Sequence, residues 1–290
     1  ARGKAREPEA RMVQREDVRI DAARLAASRA RVLDASWLFP PLNAAGIDVR
    51  ARYRAAHIPG AVFLDLAALS PPRPGDVAAI APPTPATLRR ALAAIGARPG
   101  EPLVVTDQDG GVATAPFARL ALLDAGFADV RLLDGGTPAW AAAGRPLTAE
   151  GATVLAWPVV ADAPTAGRFV GTEATRAALA DGSASVVDAR FVPTNDGVLP
   201  PRFAAVAIPA TAVLRPGEVI EETASGARFR DAEALRALAT ARGLADGRPV
   251  IVTCHFGVGA AVVATALELA GVADVRVDAA SLLGWAALSP

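Results

Sequence analysis

Ala125-Gly126-Phe127-Ala128-Asp129-Val130-Arg131 returns 145 residues later as Ala270-Gly271-Val272-Ala273-Asp274-Val275-Arg276. Four further matches keep the same order. Val32-Leu33-Asp34-Ala35-Ser36-Trp37 returns as Val186-Val187-Asp188-Ala189-Arg190-Phe191, and Ile58-Pro59-Gly60-Ala61-Val62 returns more weakly as Ile208-Pro209-Ala210-Thr211-Ala212. Leu103-Val104-Val105-Thr106 returns as Val250-Ile251-Val252-Thr253, and Trp140 as Trp285. The offset shrinks along the chain from 154 to 145 residues, as two homologous units with small loop differences would give. The chain is a duplicated unit.

Each unit carries short β-branched runs that suit buried strands: Val32-Leu33, Leu103–Val105 and Val130–Leu133 in the first, Val186-Val187, Val250–Val252 and Val275–Val277 in the second. The middle run of each set enters a Gly-containing loop and then an Ala/Leu-rich helix, Ala115–Ala125 or Ala260–Ala270, which Gly126 or Gly271 stops. Strands alternating with helices predict an α/β fold with one parallel sheet per unit, helices on its faces and ligands outside the carboxyl ends of the strands. The expected division is a flexible extension at 1–27, a first domain at 28–147, a Pro- and Ala-rich linker at 148–165 and a second domain at 166–290. Met12, the sole methionine, reads as a natural start.

Composition narrows the function. With 290 residues, 52% hydrophobic and 21% charged, the chain suits a globular protein of two ordinary domains. Thirty basic residues balance thirty acidic ones, which argues against nucleic acid or an anionic membrane as a partner gripped by bulk charge. No apolar run approaches the ~20 residues of a spanning helix. No signal-peptide core opens the chain, so a cytoplasmic location is expected. One cysteine and two histidines exclude an intramolecular disulfide and leave a metal site or other cofactor unexpected.

The chemistry concentrates at Cys254. The strand Val250–Thr253 stops there, and Cys254-His255-Phe256-Gly257-Val258-Gly259 leads into the helix. Two glycines let backbone N–H groups turn inward as an anion-binding nest, and the positive end of the helix dipole points at the same place. Both favour thiolate over thiol, so a depressed pKa and a nucleophilic sulfur are expected. The plainer reading is a small buried hydrophobe, to which a strand-to-helix Gly loop is poorly suited. A phosphatase would need an arginine six positions after the cysteine. Ala260 stands there, so phosphomonoester hydrolysis is disfavoured.

Taken together, Val32–Trp37, Tyr53 with His57-Ile58-Pro59-Gly60-Ala61, Leu133-Asp134-Gly135-Gly136 and Trp140 resemble the tandem rhodanese-domain sulfurtransferases over roughly residues 30 to 288. The resemblance implies two rhodanese-like domains, the first inactive and the second carrying the nucleophile. Asp107 stands opposite Cys254 in the repeat, in keeping with that division. It also implies a double displacement. A small-molecule donor, 3-mercaptopyruvate or thiosulfate, passes sulfur to Cys254 to form a persulfide, and a thiol or cyanide acceptor removes it. Arg190 matches a donor-binding arginine of the family and Arg202 the next one, although an ordinary ion pair would also account for Arg190. His57 and Asp48 resemble a pair that mercaptopyruvate-type members bring toward the loop from the first domain. For His57, bracing the turn at Pro59-Gly60 is an equal reading.

The loop departs from the family at His255 and Phe256, where thiosulfate enzymes carry Arg and Lys and mercaptopyruvate enzymes Gly and Ser. It keeps Gly257-Val258 and has Gly259 in place of Thr. His255 could supply a partial positive charge, act as an acid or base, or face solvent. Phe256 makes the mouth apolar and favours a bulkier or less charged sulfur partner. Fewer cations favour mercaptopyruvate over thiosulfate. Ala207-Ile208-Pro209-Ala210 and Asp278-Ala279-Ala280-Ser281 replace Gly-containing turns of the family. A non-catalytic binding or regulatory module, or a thiol redox sensor, is the alternative.

Overall fold

The computed structural model describes residues 18–39, 43, 45–72, 79–98, 100–159, 165–191, 203 and 206–288. The first domain holds β1 (Arg19–Ile20), β2 (Arg31–Asp34), β3 (Val62–Phe63), β4 (Leu103–Thr106) and β5 (Val130–Leu133), all parallel, in the order β1-β5-β4-β2-β3. The second domain repeats the plan. Its β6 (Phe169–Val170), β7 (Ser185–Asp188) and β8 (Ala212–Val213) combine with the later strands β11 (Val250–Thr253) and β12 (Val275–Asp278) as β6-β12-β11-β7-β8, again parallel. An antiparallel hairpin, β9 (Ile220–Thr223) with β10 (Gly226–Phe229), is present in the second domain alone among the described residues. The α/β class and both parallel sheets are as expected.

The extension is shorter than the sequence suggests. Arg19 and Ile20 pair with Leu132 and Leu133, and the helix Ala22–Ala26 follows directly, so residues from 18 onward belong to the first domain. Two-residue β1 offers too short a pattern for periodicity to register. Residues 1–17 lie outside the described residues. The linker folds back on the first domain: His57 N–H and Thr148 N–H exchange bonds with each other's carbonyls, and Trp157 N–H donates to Ala93. Within the expected linker, 160–164 lie outside the described residues.

The duplicated stretch at Ala125 and Ala270 has a local cause. The helices Ala115–Asp124 and Val258–Leu269 end in the same cap, with Gly126 at φ +91° and Gly271 at φ +94°. Phe127 N–H reaches Leu122 and Val272 N–H reaches Leu267, closing the last turn. A side chain at either glycine would have to adopt a left-handed backbone, which favours glycine. Arg131 and Arg276 then each grip the aspartate two residues earlier through Nε and Nη2.

Those two helices also join the domains. Ala115–Asp124 is buried along most of its length, Val258–Leu269 along nearly all of it, and they pack against each other in one continuous apolar core. Within that interface the Glu268 carboxylate receives Arg119 Nη1 at 2.5 Å and Arg168 Nη1 at 2.7 Å. Phe117 meets Phe169 edge-on at 5.5 Å. The loop that carries Cys254 thus leaves the central strand of the second sheet at its carboxyl end and enters a helix packed against the first domain.

Candidate active site

Thr253 ends β11, and Cys254, His255, Phe256 and Gly257 lead to Val258, where the helix begins. Gly257 has φ +93°, which turns its N–H back onto Cys254 Sγ at 3.1 Å. The amides of Phe256, Gly257 and Ala260 and the side chain of Ser281 all favour the thiolate. Cys254 is nevertheless only 2% exposed, and burial pushes its thiol above the ordinary value. The expected depressed pKa is therefore corrected. The nest is present, but the loss of hydration around a buried sulfur outweighs it. The resting group is a thiol whose anion, once formed, meets a ready set of donors.

The first domain shows what this loop geometry does for an anion. Asp107 follows β4 as Cys254 follows β11. Its Oδ1 accepts from the backbone N–H groups of Asp109 and Gly111, and its Oδ2 from those of Ala113, Thr114 and Ala115, at 2.7–3.2 Å. Five inward amides hold one buried carboxylate. The first-domain loop is filled by its own side chain, whereas the second presents a sulfur at the corresponding strand end.

Ser281 supports the second loop from below, and sequence reasoning did not single it out as a site residue. Its φ of +48° makes it the sole non-glycine residue with positive φ among those described. In the first domain the corresponding turn places Gly135 and Gly136 at positive φ. At the offset of 145, Gly136 corresponds to Ser281, so a serine occupies the left-handed position that glycine takes in the first domain, at a cost of roughly 1–3 kcal/mol. What this holds in place is the Ser281 hydroxyl. It donates to the Asp278 carbonyl at 2.7 Å and accepts from Cys254 N–H at 3.1 Å. Ser281→Ala should leave that buried N–H without an acceptor and raise the thiol further. Alkylation of Cys254 by iodoacetamide at pH 8 should slow by about threefold to tenfold, about half a pK unit to one unit. An unchanged rate would remove Ser281 from the account.

His255 is not a cation. Burial and the neighbouring Arg190 charge push its imidazole down to about 4, so the ring is neutral at pH 7, against the expectation of partial positive charge. Its Nε2 is buried with no hydrogen-bond partner among the described residues. Arg190 is close enough to act on His255 electrostatically but is itself engaged. Its Nε and Nη2 grip Asp188, the Nη2 bond being 2.7 Å, and Nη1 donates to the Val206 carbonyl. Val258 and Gly259 open the helix, and a Cβ on Gly259 would lie 3.0 Å from the Phe191 ring. Arg202 lies outside the described residues.

The first-domain pair sits apart in role. Asp48 caps the helix Val49–Ala55 by accepting from Ala51 N–H, which an aspartate does well at that position. His57 is buried, stacks on Tyr53 at 4.1 Å, and its ring nitrogens contact the carbonyls of Tyr53 and Glu150. These contacts tie His57 to the helix before it and to the segment at 148–150, and none goes to the turn at Pro59-Gly60. What the first domain does bring to the loop is Phe39, whose ring lies 5.2 Å from Phe256 and 6.1 Å from Trp37. Trp37 stood in the repeat, but nothing in the spacing pointed to Phe39. Among the described residues no group of three or more His, Cys, Asp or Glu side chains is placed to hold a metal ion.

The model of the Rhodanese-like domain matches residues 34–143. The chain is 33% identical over 245 residues to the Mycobacterium tuberculosis protein named "Putative thiosulfate sulfurtransferase SseB", covering 83% of this chain and 82% of the relative. It is 30% identical over 252 residues to the 3-mercaptopyruvate sulfurtransferase of Escherichia coli, covering 83% and 84% respectively. The chain belongs to the tandem rhodanese-domain sulfurtransferases. The crystal structure of SseA, a 3-mercaptopyruvate sulfurtransferase of Escherichia coli, superposes with a TM-score of 0.74 at 26% identity, over 91% of this chain and 98% of that one. The family's two-domain fold accounts for the repeat. Among the described residues no helix is long and apolar enough to cross a membrane.

Proposed function

We propose that this sulfurtransferase moves sulfane sulfur from 3-mercaptopyruvate or thiosulfate to a thiol or cyanide through a persulfide on Cys254. The observation that carries the reading is Gly257 N–H aimed at Cys254 Sγ from 3.1 Å, at the end of the central strand and the start of a helix. In the first half-reaction the Cys254 thiolate attacks the donor's outer sulfur. The new S–S bond forms as the donor's S–S or C–S bond breaks, and the electron pair leaves on sulfite or on the enolate of pyruvate, which takes up a proton. The loop amides hold the anionic sulfur through both halves, as Asp107 is held in the first domain.

Mercaptopyruvate suits the site better than thiosulfate. The loop's own side chains are a neutral imidazole and a phenyl ring, so a dianion finds no charge there. Arg190 is the cation at hand, and turning its fork from Asp188 to a donor carboxylate exchanges one bidentate pair for another. Both small-molecule partners are taken as soluble compounds, with a cytoplasmic setting. Steady-state thiocyanate formation tests the reading. kcat/KM with mercaptopyruvate should exceed that with thiosulfate by about tenfold or more, the value of one lost charge-assisted contact. Arg190→Ala should raise KM for mercaptopyruvate more than it lowers kcat. Equal turnover of the two donors would reverse the preference, and no turnover of either would reject the proposal for these substrates.

A further inference from the structure

We propose that Phe39 of the first domain and Phe256 of the loop form an aromatic wall beside the nucleophile that selects acceptor thiols with an apolar face. The inference rests on the sulfur-transfer reading above and names the acceptor class for the same site. Three rings from different parts of the chain meet at this loop. Phe256 lies two residues from Cys254, and its own amide favours the thiolate. Phe39 approaches it at 5.2 Å with the planes tilted by 42°. Phe191 lies against Gly259 and leaves 54% of its surface exposed, whereas Phe256 itself is buried.

The polar groups nearby offer little to a charged acceptor. His255 is neutral and its ring lies 6.1 Å from Phe256, and Arg190 is the cation assigned above to the donor. An aryl or branched-alkyl thiol would gain contact with these rings, whereas cyanide or a hydroxylated thiol would not. The step itself is balanced. The acceptor thiolate attacks the outer sulfur of the Cys254 persulfide, a new S–S bond forms on the acceptor, the enzyme S–S bond breaks, and its electron pair returns to Cys254 as thiolate. The persulfide proton stays on the transferred sulfur.

The test loads Cys254 with sulfur, verifies one added sulfur by mass, removes the donor and then mixes the protein with benzyl thiol, 2-mercaptoethanol or cyanide. Rates are divided by thiolate or cyanide concentration. Wild type should transfer to benzyl thiol about tenfold faster than to 2-mercaptoethanol. Phe39→Ala should lower the ratio of the benzyl-thiol rate to the cyanide rate by about threefold to tenfold. Phe39→Leu, which keeps apolar bulk, should lower it less. Partial misfolding scales all rates together and leaves the ratio unchanged, so the ratio reports the wall. An unchanged ratio in Phe39→Ala, or no wild-type preference, overturns the inference while leaving sulfur transfer in place. Failure to load any sulfur defeats the sulfur-transfer reading, and this inference with it.

Discussion

Cys254→Ser should lose at least about 10³-fold in sulfur transfer with either donor, because a serine hydroxyl at this site neither ionises near neutral pH nor forms an isolable sulfur adduct. The fold should survive the change, since Sγ and Oγ occupy the same position and Gly257 N–H can still donate. The wild-type pH profile follows from the two shifts at the loop. Burial raises the Cys254 thiol, so the thiolate is the minor form at pH 7 and its fraction grows tenfold per pH unit below the pKa. The first half-reaction should therefore accelerate through pH 7 to 8 with a slope near one. His255 adds no limb near pH 6.5, because its ring has already lost its proton above about pH 5. Stopped-flow desulfuration of the donor over pH 5–9 measures both features. A plateau already reached at pH 6 would show a depressed thiol. A limb near 6.5 that His255→Asn removes would show a titrating imidazole.

Glu268→Ala should destabilise the folded protein by about 3–5 kcal/mol, the cost of leaving a buried charge without its partner. Glu268 is fully buried and binds Arg119 from the first domain and Arg168 at the edge of the second. Arg119 is itself almost wholly buried and spends Nε on the Val130 carbonyl, so it cannot swing out to water without breaking the helix packing. The double variant Arg119→Leu/Glu268→Leu should recover most of the loss, since an apolar pair of similar volume carries no desolvation penalty. Urea unfolding followed by tryptophan fluorescence gives the midpoints. A loss under 1 kcal/mol in Glu268→Ala would show that water or relaxation screens the cluster. The interface would then depend on apolar packing alone.

The duplication, the parallel sheets and the helix ends could be read from residues because each has a local cause. The Ala-Gly-Phe/Val-Ala-Asp-Val-Arg stretch encodes a left-handed cap, a strand entry and an arginine–aspartate grip, all within a few positions. Cys254 was visible for the same reason: its strand, glycine and helix are adjacent in sequence. What escaped depends on residues far apart in the chain. Phe39 and Phe256 are separated by more than two hundred positions, and so are Arg19 and the Phe229 carbonyl it reaches from the edge of the first sheet. Ser281 escaped because its strained backbone shows only as missing glycines, which read as simple reshaping of a turn. The sign of the thiol shift escaped because periodicity places a side chain near amides without measuring how completely the second domain excludes water from it.

Intact-protein and peptide mass spectrometry on wild type incubated with mercaptopyruvate, then desalted, bears most directly on whether the loop amides serve a sulfur-carrying cysteine. One added sulfur should appear on the peptide containing Cys254, vanish on cyanide treatment with stoichiometric thiocyanate, and be absent from Cys254→Ser. A protein that turns over the donor with no sulfur on that peptide, or that carries it equally in Cys254→Ser, would contradict the assignment of Cys254 as the carrier.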